Sequence, residues 1–395
     1  MKMNPVIPIK FLLLFLLLSA VLSSCGPSQK QRLNRHSEKF PWEDSVKLTG
    51  DEKALTFSID TFFRNKVKHA GFNGSVLVAN RGKIIYRNAF GFARYESRSQ
   101  LTDTSAFQLA SASKPFTATA ILQLYEKKKL RLDDPVNRYI KNFPYDSITI
   151  RMLLNHRSGL ANYIYLFDSL RLPPDSFITN QQVADYFAST VPNLQATPGR
   201  RFQYCNSNYA FLALIIEKAS RQKYSEYLEK NIFYPSHMFH TYVRDIFEKS
   251  IPAYQTRGYH GLDWNPVPPV TYDGVVGDKG IYSTPYDLYL FDQALNHHIL
   301  LKQETLDEAY AGYSYEKPGI KNYGLGWRIK EFPDGEKLIY HNGWWRGYNS
   351  SFERRPDLGI CVVVLTNKYN KTTYSLNPLF DLLKFSDGDG SDEDE

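Results

Sequence analysis

The chain is poor in cysteine, in long apolar runs and in metal-ligating motifs. Three of its 395 residues are cysteine, with no Cys-x-x-Cys pair, which excludes a disulfide-rich scaffold and leaves the pairing of Cys205 with Cys361 open. The nine histidines form no His-Glu-x-x-His motif, so we expect neither a zinc site nor a cofactor. No Gly-x-Ser-x-Gly motif is present, which argues against an α/β-hydrolase. A mean hydropathy of −0.42 and a single long apolar run argue against a multi-span membrane protein.

The remaining composition is that of a folded globular protein with a basic surplus. Hydrophobic residues make up 43% and charged residues 23%, and the formal net charge is +7. The length allows one large domain or two medium ones. Lysine and arginine are scattered and form no nucleic-acid motif, so no nucleic-acid partner is expected. Anionic partners such as peptidoglycan or lipid headgroups are compatible with the surplus.

The amino-terminal segment has the pattern of a lipoprotein signal peptide. Lys2 and Lys10 precede an apolar run over residues 11–22. This run is too short for a comfortable membrane span. The run ends in Leu22-Ser23-Ser24-Cys25, which resembles a bacterial lipobox whose cysteine receives a diacylglycerol. The alternative is a chance cysteine after an ordinary signal peptide. We predict a signal peptide over residues 1–24 and lipidation at Cys25.

Two polar segments flank the predicted folded body. Residues 25–46 follow the lipidated cysteine and are typical of a tether between a membrane and a domain. No acidic sorting residue follows Cys25, so in a Gram-negative cell we expect an outer-membrane lipoprotein that faces the periplasm. Residues 386–395 contain six acidic residues and faintly resemble a calcium loop. However, no glutamate stands at the twelfth position of such a loop, and no helix follows it. We therefore predict a disordered acidic tail.

The body, over residues 47–385, has strand patterns near both ends and helical patterns between them. Apolar spacing predicts a helix over residues 51–70, helices over most of residues 115–310 and a last helix over about residues 376–385. Strands are predicted at residues 74–80, 83–90, 326–330, 337–341 and 360–365, the first two as a hairpin around Arg81-Gly82. Strands at both ends indicate one antiparallel sheet built from both termini and flanked by helices, with a mainly helical second lobe inserted. This is an α+β fold whose two lobes meet at a cleft.

Ser-x-x-Lys is the motif in the chain that offers a nucleophile. On a helix, positions i and i+3 share one face, so a lysine amine can take the proton of the serine hydroxyl. The motif occurs three times, with its serine at Ser111, Ser220 and Ser314. Only Ser111 opens an apolar helical segment, whose first backbone N–H groups could stabilise an oxyanion. Since a lysine base must be uncharged, the hypothesis requires Ser111 and Lys114 to lie in a sequestered cleft.

Five segments together carry a resemblance to a known superfamily. In the order of that superfamily, they are SASKPFTATAILQLYE, LLNHRSGLANY, PGRRFQYCNSNYAFLALIIEKAS, GDKGIYSTPYDL and HNGWWRGYNSSFERRPDLGICVVVLTN. The chain resembles the serine β-lactamases and penicillin-binding proteins over about residues 50–385. The most similar branch contains class C β-lactamases, D,D-carboxypeptidases, D-aminopeptidases and related esterases. The resemblance implies a β-lactamase/transpeptidase-like fold.

The resemblance also assigns roles to individual residues. Ser111 matches the nucleophile that becomes acylated, and Lys114 matches its general base. Tyr204 matches the tyrosine that passes a proton to the leaving group, and Asn206 matches the amide that binds substrate and orients Lys114. Without this context, Tyr204 would be interpreted as a core tyrosine beside a helix.

The third motif of the superfamily, Lys-Thr-Gly or a His-x-Gly variant, matches His341-Asn342-Gly343 at the end of a predicted strand. The similar triplets that begin at His69 and Lys317 lie at a helix end and on a proline-containing segment. Gly343 would let the substrate approach the backbone. The backbone N–H groups of Ser111 and Trp344 would form the oxyanion hole.

Two departures from the superfamily pattern bear on the substrate. The cationic lysine of the third motif is missing, so recognition of a substrate carboxylate would need a protonated His341 or an arginine. Trp344 and Trp345 add aromatic bulk on the acyl side. Both favour a peptidase or an esterase over an efficient β-lactamase. Possible substrates are a D-amino-acid peptide, a peptidoglycan stem, a small ester or a β-lactam. The alternative is a penicillin-binding or cell-wall-binding sensor module without turnover.

Overall fold

The computed structural model describes residues 47–384 except 171, 174, 175 and 249. The predicted signal peptide, the predicted lipidation site Cys25, the whole predicted tether and the acidic tail lie outside the described residues. Within the described part, no helix is long and apolar enough to cross a membrane. Cys205 and Cys361 are both buried free thiols.

A seven-stranded antiparallel sheet forms the centre of the described chain. Its spatial order is β2-β1-β12-β11-β10-β9-β8, so the amino-terminal hairpin pairs with the last strand of the chain. Two smaller sheets pair β3 with β4, and β7 with both β5 and β6. The strands in chain order are β1 Gly74–Asn80, β2 Lys83–Phe90, β3 Phe92–Arg94, β4 Ser99–Gln100, β5 Phe107–Gln108, β6 Tyr242–Val243, β7 Ile281–Ser283, β8 Lys321–Tyr323, β9 Arg328–Glu331, β10 Lys337–Trp345, β11 Tyr348–Arg355 and β12 Ile360–Thr366.

Helices cover both faces of the large sheet and make up most of the inserted lobe. The α-helices in chain order are α1 Gly50–Ala70, α2 Lys114–Glu126, α3 Ile150–Leu154, α4 Tyr163–Asp168, α5 Asn180–Thr190, α6 Asn206–Ser220, α7 Tyr224–Leu228, α8 Pro285–Asn296, α9 Gln303–Ala309 and α10 Asn377–Leu382. The first and last helices pack on one face of the sheet, and α8 packs on the other.

Sequence features explain where α1 begins and ends. The backbone N–H of Glu52 donates to the Thr49 hydroxyl, and the Glu52 carboxylate accepts from the Thr49 backbone, which forms a capping box. At the other end, Gly71 adopts a left-handed conformation with φ of 63° and terminates the helix. The buried side chains of Ile59 and Phe63 then join the core under the sheet.

Strand β12 is apolar along its whole length because both of its faces are buried. Val362 and Val364 contact the core beneath α1 and α10. The alternating residues Cys361, Val363 and Leu365 are also fully buried, on the opposite face. A continuous apolar run is therefore required at this position.

The structure confirms the α+β fold with an inserted helical lobe, corrects one local prediction and adds two features that were not predicted. The last helix is shorter than predicted, since α10 ends at Leu382. The polar strand β11 was not predicted, and neither was the three-stranded sheet of β5, β6 and β7.

Candidate active site

Ser111 lies in a 3₁₀ turn, Ala110–Ser113, that leads directly into α2. Lys114 is the first residue of that helix, and its side chain is fully buried. The Lys114 Nζ lies 3.0 Å from Ser111 Oγ, 2.9 Å from Asn206 Oδ1 and 3.2 Å from the backbone carbonyl oxygen of Asp278. The pairing of hydroxyl and amine that the i, i+3 spacing predicts is thus present in the structure, and the amine is sequestered.

The turn that carries Ser111 is held in a strained conformation. Ala110 is buried and has a φ of 50°, in the left-handed region that a residue with a Cβ rarely adopts. Surrounding contacts fix this geometry: the Leu109 N–H donates to Ile281 of β7 at 2.8 Å, and the Leu109 carbonyl accepts from the Ser350 hydroxyl of β11 at 2.6 Å. Pro115 fits the first turn of α2, where its missing N–H would have no helical partner.

Tyr204 and Asn206 lie on either side of the point where α6 begins. Cys205 is the N-cap residue of α6, and Asn206 is its first helical residue. The Lys114 Nζ lies 4.8 Å from the centroid of the Tyr204 ring, and the Arg328 guanidinium carbon lies 5.3 Å from the same centroid. The Lys114 amine and the Arg328 guanidinium therefore both lie against the phenol ring. Arg328, on β9, was not predicted as a site residue.

His156 fixes the segment that carries Tyr204. It is fully buried, and its Nδ1 accepts from the Cys205 backbone N–H at 3.1 Å, so its ring proton is on Nε2. The Asn208 amide lies 3.0 Å from the same Nδ1. The rings of His156 and Tyr204 have centroids 4.3 Å apart. Burial, reinforced by nearby cationic groups, holds the pKa of His156 well below its usual range, so the ring is a neutral support.

His341 lies in the interior on β10, outside the lining of the cavity that adjoins Ser111. Its Nδ1 donates to the Asn342 carbonyl at 2.7 Å, and its Nε2 accepts from the Tyr323 hydroxyl at 3.1 Å. Burial, with Arg328 and Lys114 nearby, lowers the pKa of His341 well below its usual range. The neutral ring therefore does not replace the missing lysine of the third motif.

Gly343 makes a close contact within the protein in addition to the substrate approach predicted for it. A Cβ at this position would lie 2.3 Å from the Leu109 carbonyl oxygen, 2.6 Å from Ser350 Oγ and 2.8 Å from the Ser111 backbone nitrogen. The glycine thus allows β10 to pack against the nucleophile turn itself. Gly343, the residue before Trp344, therefore packs against the backbone of Ser111, and the N–H groups of Ser111 and Trp344 remain the pair predicted to form the oxyanion hole.

A cavity of about 670 Å³ adjoins Ser111. Tyr204, Asn206 and Trp344 line it together with Ser111. Trp344 is half exposed at the opening. The charged residues in the lining are Asp278 and Lys279, to which the sequence analysis gave no role. The signal that could have found them is a charged pair between two glycines, immediately before β7.

The other Ser-x-x-Lys serines lie outside this cavity. Ser220 is the last residue of α6, and Ser314 lies in a loop where Arg157 contacts its hydroxyl. Neither residue lines the cavity. The structure therefore brings together Ser111, Lys114, Tyr204, Asn206 and Trp344 around one opening, and leaves the competing serines elsewhere.

The chain matches a known protein family in sequence. The sequence model of the Beta-lactamase family matches residues 59–381. The chain belongs to the Beta-lactamase family. Penicillin-binding protein 4* of Bacillus subtilis (strain 168) is 33% identical to the chain over 329 residues, which cover 80% of this chain and 72% of that protein. The putative penicillin-binding protein PbpX of the same strain is 31% identical over 308 residues, with 77% of this chain and 74% of that protein covered.

Solved structures of the family share the fold. An octameric penicillin-binding protein homologue from Pyrococcus abyssi superposes with a TM-score of 0.70 at 29% identity, covering 82% of this chain and 77% of that one. A class C β-lactamase gives a TM-score of 0.71 at 21% identity, covering 87% and 99%. The chain is therefore a hydrolase of the serine β-lactamase and penicillin-binding-protein superfamily, with the β-lactamase-like fold.

Proposed function

We propose that this protein is a serine hydrolase that cleaves an amide or ester through an acyl-enzyme at Ser111. The observation that carries the proposal is the 3.0 Å separation of Ser111 Oγ from Lys114 Nζ, with Asn206 2.9 Å from the same amine. Lys114 is fully buried, and burial disfavours the charged form of an amine. In its uncharged form this amine can take the serine proton.

The reaction has two proton-coupled steps. Ser111 Oγ attacks the substrate carbonyl carbon while its proton passes to Lys114, and the N–H groups of Ser111 and Trp344 stabilise the oxyanion. Tyr204 then passes that proton from Lys114 to the leaving group as the bond to that group breaks, so both side chains return to their starting protonation states. Water attacks the ester carbonyl, the proton from water returns through the same groups, and Ser111 is released with the acid product.

Covalent labelling together with turnover tests this proposal. The protein and its Ser111→Ala variant are incubated with a fluorescent fluorophosphonate and, separately, with a p-nitrophenyl ester. We expect labelling and hydrolysis by the native chain and neither by Ser111→Ala. Ser220→Ala is the matched control, since it removes the serine of a second Ser-x-x-Lys motif outside the cavity. Equal labelling of the native chain and Ser111→Ala would exclude the assigned nucleophile. Labelling without turnover would favour the sensor module.

We further propose a peptide or an ester as substrate in preference to a β-lactam. The neutral His341 stands where the superfamily has a cationic lysine, and the half-exposed Trp344 adds aromatic bulk to the cavity lining, on the side where the acyl group is expected. The relatives are consistent with this range, because one structural neighbour is described as a D-stereospecific amidohydrolase. Rates for a D-alanyl peptide, a p-nitrophenyl ester and a chromogenic cephalosporin should rank the cephalosporin last. A cephalosporin that is hydrolysed fastest would overturn this preference.

The proposed site of action is the periplasmic face of the outer membrane, with peptidoglycan as a candidate partner. The support is the lipobox-like sequence before Cys25. Metabolic labelling with an alkyne fatty acid should mark the native chain and not a Cys25→Ala variant. Equal labelling of both chains would contradict the anchor at Cys25.

A further inference from the structure

We propose that Lys279 binds a carboxylate on the acyl part of the substrate, the part that stays attached to Ser111. The inference rests on the proposed hydrolase function and adds a substrate class to it: acyl groups that carry a negative charge. The inference starts from the lining of the cavity at Ser111. Among the described residues of this lining, Lys279 is the only one with a cationic side chain.

Lys279 is held in place by the cavity wall. Its Nζ lies 2.5 Å from the Tyr163 hydroxyl and 5.1 Å from the centroid of the Trp345 ring. The side chain is 4% exposed. A long flexible lysine would lose much side-chain entropy on binding a ligand, whereas this one has already been ordered by folding. The ammonium is thus preorganised at the edge of the cavity.

The neighbouring Asp278 does not occupy all the N–H donors of the Lys279 ammonium. The two Asp278 carboxylate oxygens lie 3.3 and 3.4 Å from Lys279 Nζ, longer than the usual 2.7–2.9 Å of a charge-assisted bond. Asp278 has a second donor, because the Tyr163 hydroxyl donates to it at 3.0 Å. Among the described residues, the ammonium therefore has two hydrogen-bonding partners, Tyr163 and Asp278, for its three N–H donors.

The position of Lys279 relative to the chemistry points to the acyl side. The backbone carbonyl of Asp278 lies 3.2 Å from Lys114 Nζ, so Lys279 is one residue from the proposed base. Its ring contact, Trp345, lies just beyond Gly343 on β10, on the side where the acyl group is expected. The proposed leaving-group side is at Tyr204, beside Arg328.

A matched pair of esters tests the inference. One is the p-nitrophenyl half-ester of adipic acid, and the other is the same ester with a terminal carboxamide in place of the carboxylate. Both release p-nitrophenol, so any difference in kcat/KM comes from the acyl part. We expect the native chain to prefer the acid by at least about tenfold, the magnitude of one hydrogen bond between charged groups. Lys279→Met should abolish the preference, and Lys279→Arg should retain part of it.

Two further variants separate recognition from stability. Asp278→Asn combined with Lys279→Met removes both charges, so no buried charge is left without a partner, and it should also lose the preference. Lys66→Met is the control: Lys66 is a half-buried lysine on α1 that donates to Thr372 and Ser375, away from the cavity, and its loss should leave the preference intact. The inference would be overturned if the native chain showed no preference for the acid, or if the preference survived Lys279→Met. Lys279 and Asp278 would then be only a structural ion pair.

A binding measurement keeps this test independent of the catalytic proposal. Calorimetric titration of the Ser111→Ala protein with adipic acid monomethyl ester and with its carboxamide analogue measures recognition without acylation. We expect tighter binding of the acid and loss of that difference when Lys279→Met is added. If only the fluorophosphonate labelling failed, the proposed hydrolase function would be rejected, and the difference in binding between the acid and the carboxamide would still support the anion site. Equal affinity for the two ligands would reject the anion site alone.

Discussion

At the scale of single residues, the site depends on a few contacts that bury the reacting groups. Lys114 is fully buried against Asn206 and the Asp278 carbonyl. Tyr204 lies between Lys114 and Arg328 and over the neutral His156. Each of these side chains comes from a different segment, so a change at one position tests one step of the proposed reaction.

Replacing Tyr204 by phenylalanine tests the proton transfer to the leaving group. The ring contacts with His156 and Lys114 are retained, and only the hydroxyl is lost. We expect kcat for ester hydrolysis to fall by about 10²–10⁴-fold, the usual contribution of a positioned proton donor. Unchanged melting temperature would show that the fold is intact. An undiminished kcat would remove Tyr204 from the mechanism.

Replacing Gly343 by alanine tests the contact between β10 and the nucleophile turn. The new Cβ would lie 2.3 Å from the Leu109 carbonyl oxygen and 2.8 Å from Ser111 N, so the turn must shift. Since a displacement of about 1 Å can cost about 10²-fold in rate, fluorophosphonate labelling should slow by about that factor. Gly50→Ala, where a Cβ would have no neighbour within 4 Å, is the control and should label at the native rate.

At the scale of elements, strand β11 shows how a polar sequence can form a central strand. All eight of its residues are buried, and Arg354 is fully buried. The Arg354 guanidinium pairs with Asp292 of α8 at 2.7 Å, and Ser350 donates to the Leu109 carbonyl. Alternation of apolar and polar residues could not reveal this strand, because its partners are distant in sequence and exist only after folding.

The start of α8 supplies a pH-dependent element. Burial raises the pKa of the Asp287 carboxyl from 3.8 to about 7, although Thr241 and the backbone N–H of His240 donate to it. Below about pH 4 both the folded and the unfolded states hold this proton, and between there and pH 7 only the folded state does. The contribution of Asp287 to stability therefore falls as pH rises to about 7.

Asp287→Asn should remove that dependence. Urea unfolding of both chains at pH 5 and pH 8 gives the difference in unfolding free energy at each pH. Because asparagine does not ionise, the variant should gain stability relative to the native chain on going from pH 5 to pH 8. An unchanged difference would show that Asp287 does not titrate in this range.

At the scale of the whole molecule, the sheet needs both ends of the chain. Strand β1 pairs with β2 on one side and with β12 on the other, and β12 in turn pairs with β11. Removal of β12 would separate the amino-terminal hairpin from the strands that carry the site.

Two truncations test this dependence. A chain that ends after Arg355 keeps every site residue but loses β12 and α10, so we expect no cooperative unfolding and no fluorophosphonate labelling. A chain that ends after Lys384 keeps all the residues that the structure describes. It should unfold and become labelled like the full chain. Near-ultraviolet circular dichroism and labelling of the two chains give the comparison. Activity in the shorter chain would contradict the requirement for closure of the sheet.

Much of this protein is determined by local patterns in its sequence. The helix over residues 50–70, the hairpin around Arg81-Gly82 and the apolar run of β12 follow from capping, turn chemistry and burial of both strand faces. The spacing of Ser111 and Lys114 likewise fixes their pairing, because three residues of a helical turn place both side chains on one side. These features depend on neighbours along the chain, so a sequence is enough to predict them.

Only the tertiary structure decided which distant groups meet. It placed His341 in the interior as a neutral ring, gave Gly343 its role against the nucleophile turn, and brought Lys279 to the cavity through Tyr163 and Trp345. The charge of a buried group and the space beside a glycine depend on atoms from remote segments. No local pattern contains those atoms, so folding alone determines them.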